Sequence, residues 1–453
     1  MGLNRRTFLK SSMIAGASLV FPQNISCKNP NSKLNIAIIG VGGRGHANFS
    51  PVLKSENIVA MCDVDEKRAK GGYEKIKSEF PNVKKFSDYR IMFDKMHKSI
   101  DAVIISTPDH THFIPAFIAM QHGIHVYMEK PLAHNVFECR TLKKAANYYK
   151  VTTQMGNQGH ATNGIRQIRE WYQAGILGEV REIHAWIGSL NFRPGHYWSL
   201  PESFPPPKQQ IPKTLNWDLW LGPAKNRDYN SVYVPKSWRG FYDFGSGQLG
   251  DWSCHTLDGP FWTLGLGMPY KIESYVPNQI DKHRFVSEKS VVTFNFAANK
   301  KRKSVTLKWY EGGFKPKINP QWPLKKLGSG GMIMIGSKKS LITGGRPNNP
   351  KLIVSEAEWK EFEKNPPRKT IPRLKWGDET PVQEWIDAIK NNYLPESNFN
   401  YGADLTEMAL LGTLSQRFAA KLDYDSEKME ITNRPDINEF LKRSPREGWA
   451  YNF

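Results

Sequence analysis

Little in this 453-residue chain suits it to stapling, to crossing a membrane or to gripping nucleic acid. It has only 4 cysteines, Cys27, Cys62, Cys139 and Cys254, widely spaced and without a CxxC pair. That argues against a zinc ribbon and against a disulfide scaffold. Beyond the N-terminal segment there is no run of about eighteen apolar residues, which excludes a transmembrane helix in the mature protein. Acidic residues are scarce beside basic ones, 43 against 63, a balance of +20. That excess favours acidic partners, but it is spread along the chain. The one dense basic run, Asn299-Lys300-Lys301-Arg302-Lys303, has no interleaved aromatics. It reads as a solvated hairpin tip and supports no nucleic-acid site. No internal repeat is visible. What is plentiful is aromatic: 12% of residues, with 14 tryptophans. Most of these rings belong to the core and surface, but such a supply also suits stacking on sugar rings. The length allows two or three domains, and 39% hydrophobic residues suffice for a large core.

Residues 1–30 read as an address rather than as part of the fold. Asn4-Arg5-Arg6-Thr7-Phe8-Leu9-Lys10 is a twin-arginine pattern, and a short stretch of small and apolar residues, Met13 to Phe21, follows it. The segment implies export of an already folded protein to the periplasm or beyond. Cys27 stands where a lipoprotein cysteine would, behind a poor lipobox, Asn24-Ile25-Ser26. A lipid anchor there stays open.

Leu34 to Ile39 is a short apolar run, hence a buried strand. Gly40-Val41-Gly42-Gly43-Arg44-Gly45 follows directly, and His46 begins a helix. A second strand, Ile58 to Cys62, ends in Asp63. This order gives the glycines a physical meaning. Gly40 permits a tight turn, Gly42 lets the backbone approach a pyrophosphate, and Gly45 allows close helix–strand packing at a helix N-terminus. Asp63 can accept both ribose hydroxyls and repels a 2′-phosphate, which favours NAD over NADP. The alternation continues with strands at Ala102–Ser106, Ile124–Met128 and Thr152–Met155, separated by helices. A parallel, doubly wound Rossmann sheet over residues 31–157 is expected, with ligands at the carboxyl ends of its strands. Two strand ends carry chemistry, Thr107-Pro108-Asp109-His110-Thr111-His112 and Glu129-Lys130-Pro131. His110 and His112 are spaced for a metal but lack a third ligand, so no metal site is expected. Pro131 is a candidate for a cis peptide.

Residues 158–453 read as an α+β domain with a large, mostly antiparallel sheet. Strands are expected at 179–187, 270–275, 290–296, 304–310 and 332–335. Asn191 to Asp243 is an insert rich in Pro, Trp and Tyr, read as a sugar-binding rim and lid or as a subunit contact. Helices at 381–391 and 402–422 are expected to pack back toward the first domain. Asp251 and His255 are four apart and share a helix face. Together with Lys130 they make a plausible proton relay around one hydroxyl.

The glycine loop, Cys62-Asp63-Val64-Asp65, the Thr107–His112 segment, Glu129-Lys130-Pro131 and Gly250-Asp251-Trp252-Ser253-Cys254-His255 together resemble the Gfo/Idh/MocA oxidoreductase family, which includes glucose–fructose oxidoreductase and inositol dehydrogenase. Asn216-Trp217-Asp218-Leu219-Trp220-Leu221-Gly222-Pro223 and Arg446-Glu447-Gly448-Trp449 are similar to an exported bacterial subgroup. The resemblance covers Lys33 to the C-terminus. It implies an NAD-dependent oxidoreductase (NADP is the second choice) acting on a secondary hydroxyl of a sugar or glycoside. It implies catalytic roles for Lys130 and His255, with Asp251 orienting the hydroxyl. It places Gly40, Gly42, Gly43, Arg44, Gly45, Asp63, Thr107, Pro108, His110, His112, Glu129, Lys130 and Asn157 around the cofactor. His160, Arg193, Asp251 and His255 fall to the substrate. A homo-oligomer is expected. The family also contains NAD-dependent glycosidases that oxidise C3 transiently, eliminate the aglycone, add water and reduce again. Lys130 and Asp251 look like the dehydrogenase set, so the glycosidase is the alternative. A non-catalytic glycan-binding protein on the same fold is the third reading. Outside the cytoplasm no pool of free NAD exists, which predicts a tightly held cofactor reoxidised in place.

Overall fold

The computed structural model describes residues 32–190, 192–281, 284–374 and 381–450. The twin-arginine segment and Cys27 lie outside the described residues. The first unit alternates strand and helix: β1 (Asn35–Ile39), α1 (Arg44–Phe49), β2 (Asn57–Cys62), α2 (Glu66–Glu79), β3 (Lys84–Phe86), α3 (Tyr89–Met96), β4 (Ala102–Ile105), α4 (Phe113–Gln121), β5 (His125–Met128), α5 (Val136–Tyr149) and β6 (Thr153–Met155). The strands form one sheet in the order β3-β2-β1-β4-β5-β6, with every pair parallel. Strands such as Ala102-Val103-Ile104-Ile105 are buried on both faces because helices cover both, so they read as continuous apolar runs. The winding order of the sheet switches between β1 and β4, and a crevice opens beyond their carboxyl ends there.

The second unit begins with α6 (Asn163–Gln173) and β7 (Val180–Trp186), followed by the insert with α7 (Trp217–Leu221). Next come α8 (Gly247–Thr256), α9 (Asp258–Leu264), β8 (Lys271–Tyr275), β9 (Ser290–Phe296), β10 (Val305–Glu311), β11 (Gly331–Gly336), β12 (Leu341–Thr343) and β13 (Lys351–Leu352). The chain closes with α10 (Glu356–Lys364), α11 (Pro381–Asn391), α12 (Phe399–Phe418), β14 (Leu422–Asp425) and β15 (Glu430–Ile431). The nine strands order as β13-β12-β11-β7-β10-β9-β8-β14-β15. Only β7 and β10 pair in parallel; the rest are antiparallel. In β9 and β10 buried and half-buried positions alternate, as expected of a sheet covered on one face. The long helix α12 covers that face and also packs on α5 and α8. It is therefore buried nearly all round, which fits its many small and apolar residues.

Two features depart from the expected layout. The basic run 299–303 does lie between β9 and β10, but Arg302 turns inward. It is buried and donates to the carbonyls of Ala297 and Leu266 at 2.9 and 2.7 Å. The insert is not an open loop. Trp198, Trp217, Trp220, Tyr233, Phe241 and Phe285 give it an aromatic core of its own. Trp217 and Trp220 stack at 4.8 Å.

The first unit is completed by the C-terminal part. Val382, Trp385, Ile386 and Ile389 of α11 join the core formed by Leu34, Ile36 and Ile38. At that seam Glu56 is 0% exposed. It accepts from the Leu34 amide at 2.7 Å and from Lys390 Nζ at 2.6 Å. Removing one partner of a buried pair strands the other charge. Glu56→Ala is therefore expected to lower stability by about 3–5 kcal/mol in urea unfolding. Lys390→Met on that background should recover part of the loss.

Candidate active site

Between the two units lies a cleft of about 1190 Å³. Gly40, Gly42, Gly43, Arg44 and Asp63 line one end; Lys130, Asp251 and His255 line the other. The glycines are needed sterically. Gly40 has φ +81°, and a Cβ there would lie 2.7 Å from the Ser106 carbonyl oxygen. A Cβ on Gly45 would lie 1.8 Å from the Gly40 oxygen. At Gly42 and Gly43 the missing side chains make room for Arg68, whose atoms would stand 2.7 and 2.4 Å from the added carbons. Arg68 has no part in the glycine motif, yet its guanidinium lies across this loop. Asp63 accepts from the amides of Val41 and Gly42 at 2.8 and 3.2 Å, and from Asp65 at 3.0 Å. Burial raises its pKa despite these amides. A carboxylate has about four acceptor positions, so capacity for hydroxyl donors remains.

The strand ends behave as a rigid frame. Glu129 accepts from Arg44 Nε at 3.0 Å and from Asn48 at 2.9 Å. The Lys130–Pro131 peptide is cis. His112 bridges the carbonyls of Pro131 and Thr107 at 2.9 and 2.8 Å. His110 is fully buried between Trp220 and Phe244, with Nε2 against the Trp220 carbonyl at 3.0 Å. Neither histidine lines the cleft; both hold the loop that does. Among the described residues no group of three or more His, Cys, Asp or Glu is placed to hold a metal ion.

The structure brings Lys130, Asp251 and His255 together. Lys130 Nζ donates to the Asp251 side chain at 2.6 Å and to its backbone carbonyl at 2.7 Å. Arg239 Nε stands 3.6 Å from the same carboxylate. Burial opposes ionisation of Asp251, but Lys130 and Arg239 outweigh it and hold the pKa down at about 2. His255 lies one turn further along α8, edge-on to Trp252. Burial, reinforced by Lys130 and Arg346, pushes its pKa well below the usual imidazole range. Burial thus keeps the His255 imidazole in its neutral form, with ring nitrogens able to donate or accept a hydrogen bond. A second carboxyl, Asp109, also lines the cleft. It is 5% exposed and accepts from Ser246 Oγ at 2.8 Å. Burial raises its pKa, against the pull of His112, Arg239 and Lys130. Sequence reading quoted Asp109 only as part of a motif; its pairing with Ser246, 137 residues away, has no local signal.

Three other candidates lie elsewhere. Asn157 and His160 are fully buried and do not line the cleft. Both bind Asp258, Asn157 Nδ2 at 2.9 Å and His160 Nδ1 at 2.8 Å, and Tyr401 donates to the same carboxylate at 2.5 Å. The rings of Trp262 and Tyr401 pack against His160, whose Nε2 keeps no hydrogen-bond partner among the described residues. Arg193 is exposed and lies outside the cleft lining.

Several cleft-lining residues keep a buried polar atom with no hydrogen-bond partner among the described residues: Thr107 Oγ1, His196 Nδ1, Arg239 Nε, Gln248 Oε1 and His255 Nδ1. Orphans of this kind are costly and need a partner. With the glycine cradle and Asp63 at one end and the charged trio at the other, the donor set fits a dinucleotide and a polar substrate side by side.

Comparison with known proteins agrees. Residues 34–157 match the model of the oxidoreductase family's NAD-binding Rossmann fold, and 161–299 match its C-terminal alpha/beta domain. The chain belongs to the Gfo/Idh/MocA oxidoreductase family, and its first domain is that family's NAD-binding fold. It is 34% identical over 168 residues to glycosyl hydrolase family 109 protein 2 of Akkermansia muciniphila, covering 35% of this chain and 36% of that protein. It is 26% identical over 211 residues to inositol 2-dehydrogenase of Salmonella typhimurium, covering 44% and 57%. The chain thus spans less than two thirds of the length of these relatives. The WlbA dehydrogenase of Bordetella pertussis, solved with NADH and UDP-GlcNAcA, superposes with a TM-score of 0.57 at 15% identity, covering 87% of this chain and 99% of that one. At that identity the likeness shows the fold.

Asp63→Ser is expected to narrow the preference for NAD over NADP by about tenfold, the scale of one lost charge repulsion. Both nucleotides should also bind more weakly, because the amides of Val41 and Gly42 lose their acceptor. Calorimetry on the mature protein checks this; tighter NADP than NAD on the unmodified protein would refute it.

Proposed function

We propose that the protein is an NAD-dependent oxidoreductase acting on a secondary hydroxyl of a sugar or glycoside. The observation that carries this is the Lys130–Asp251–His255 trio in one cleft with the glycine loop and Asp63. A bound nicotinamide nucleotide supplies the hydride acceptor. The chain's own part is to hold the carbinol and to take its hydroxyl proton. Gly40, Gly42, Gly43, Arg44 and Asp63 would hold the nucleotide, with Thr107 and Glu129 beside them. Lys130 and His255 would share the hydroxyl proton, and Asp251 would fix Lys130 in place. Half-buried Trp252 lines the same cleft beside His255 and could offer an apolar ring face to a pyranose.

A second reading is supported by the glycosyl hydrolase family 109 relative. Oxidation at C3 acidifies the neighbouring C–H, elimination expels the aglycone, water adds, and the hydride returns to carbon. That sequence is redox-neutral. Incubation with a glycoside panel separates the two: net oxidation supports the first, aglycone release the second.

Export by the twin-arginine route belongs to the same proposal, with the lipid anchor at Cys27 as its open variant. So does a homo-oligomeric assembly. Folding before transport means that the nucleotide travels inside the protein. The mature chain made in cytoplasm should then purify with stoichiometric nicotinamide nucleotide that resists dialysis, as read by mass spectrometry. Lys130→Met should retain that nucleotide but lose about 100-fold in turnover, the scale of a missing proton-transfer group. Near-normal turnover of that variant would remove Lys130 from the mechanism. Replacing Arg5 and Arg6 by lysine should leave a folded, active protein in the cytoplasm, detected by fractionation. Efficient export of the lysine variant would refute the route.

A further inference from the structure

The part of the cleft supplied by the insert carries more positive charge than proton transfer requires. His196, Tyr197, Lys236, Trp238 and Arg239 all line it. They form a fixed stack. The Tyr197 ring carries Lys236 Nζ at 5.4 Å and the Arg239 guanidinium at 4.7 Å, and Arg239 also lies over Trp238 at 4.2 Å. His196 meets Tyr197 edge-on at 5.5 Å. The backbone behind them is pinned: Ser237 Oγ donates to the His196 carbonyl at 2.7 Å, and Ser199 Oγ to that of Arg193 at 2.9 Å. The cations are therefore held in place before any ligand arrives, and little ordering entropy remains to be lost.

Carboxylates do not balance this stack. Among the described residues Arg193, His196 and Lys236 form no ion pair. The acids of the insert are committed elsewhere, Asp218 to Arg446, Asp228 to Lys208 and Asp243 to Arg227. Glu202 pairs with none of these cations. Arg239 has Asp251 at 3.6 Å and feels Asp109 in the same cleft, but Asp251 already accepts from Lys130, burial disfavours the charged form of Asp109, and Arg239 Nε makes no hydrogen bond. His196 Nδ1 is likewise buried without a partner. Arg193 and Lys236 lie close enough to His196 to add to the effect of its burial in disfavouring protonation. Lys236 without an ion pair and Arg239 with an orphaned Nε favour an anionic partner, whose charge-assisted hydrogen bonds are stronger than those of a neutral oxygen.

We propose that the substrate is a sugar or glycoside bearing a fixed negative group, a carboxylate or an acidic ester, recognised by Lys236, Arg239 and His196. This rests on the sugar-oxidoreductase reading and sharpens it. The test is calorimetry of the unmodified protein saturated with reduced nucleotide, which prevents turnover, with matched ligands in the gluco, galacto and manno series: the methyl glycoside, the methyl uronide, the 6-sulfate and the 6-phosphate. At least one anionic member should bind about tenfold or more tightly than its neutral partner, the scale of a charge-assisted contact. The uronide, sulfate and phosphate arms identify which group is read. Added salt should shrink the preference, and Lys236→Met should shrink it several-fold. Equal affinity for charged and neutral members, failure of every anionic sugar to bind, or a preference untouched by Lys236→Met would overturn the proposal. Turnover by the unmodified protein is scored separately. No nicotinamide reduction and no aglycone release with any member would count against the underlying reading, while the binding comparison would still decide this one.

Discussion

The ion pair between Lys130 and Asp251 is the constraint around which the two units are arranged. It joins the end of a strand in the first unit to a helix of the second, with both groups largely withdrawn from water. Withdrawing two charges is costly, and the pair is tolerable only with close geometry and further hydrogen bonds. Both are present: a 2.6 Å contact, a second bond to the Asp251 carbonyl, and Arg239 as a reserve cation. Separating the two groups would leave both charges buried and uncompensated. The surroundings guard against it. His112 ties the Pro131 carbonyl, next to Lys130, to the Thr107 carbonyl beyond β4, and Asp109 accepts from Ser246 at the start of α8. Helix α12 packs against both α5 and α8.

The two carboxyls of the cleft illustrate how environment divides similar groups. Asp251 is pulled down by its cations, whereas Asp109, bonded only by a hydroxyl, is pushed up by burial. Groups driven apart in this way take different proton duties at the same pH. His255 completes the set as a neutral imidazole. The cleft therefore holds one carboxylate paired with an ammonium, one carboxyl raised by burial and one neutral imidazole.

Much of this was legible from sequence because it is written locally. The glycine loop, Asp63 at a strand end and the four-residue spacing of Asp251 and His255 each fit in one short window, and each lies where such a window would put it. The strands 290–296 and the helix 381–391 were also clear, since alternation and a 3.6-residue stripe are local patterns. What escaped depends on distant partners. Asn157 and His160 look like cleft residues until Asp258, about a hundred positions on, claims both. Arg302 looks like one more solvated cation until three carbonyls are found around it. The insert reads as a loop because its tryptophans follow no period; they join one aromatic cluster across some forty residues. Arg68 gives no sign in sequence that it lies over the glycines.

The insert also has a thermodynamic consequence. Its chain lies against the loop after Asp63, with the Glu66 amide donating to the Thr214 carbonyl and the Asn216 amide to that of Val64, both at 2.9 Å. Leu219 and Trp220 line the same cleft as Asp63. Opening this seam breaks backbone bonds and disturbs a packed aromatic core, so it is a local unfolding event rather than the swing of a hinge. Exchange of whatever occupies that end of the cleft is then timed by the insert's own stability. Residence time and binding strength become separate quantities here: a substitution in the insert's core, far from any ligand, would alter the first while leaving the contacts that set the second in place.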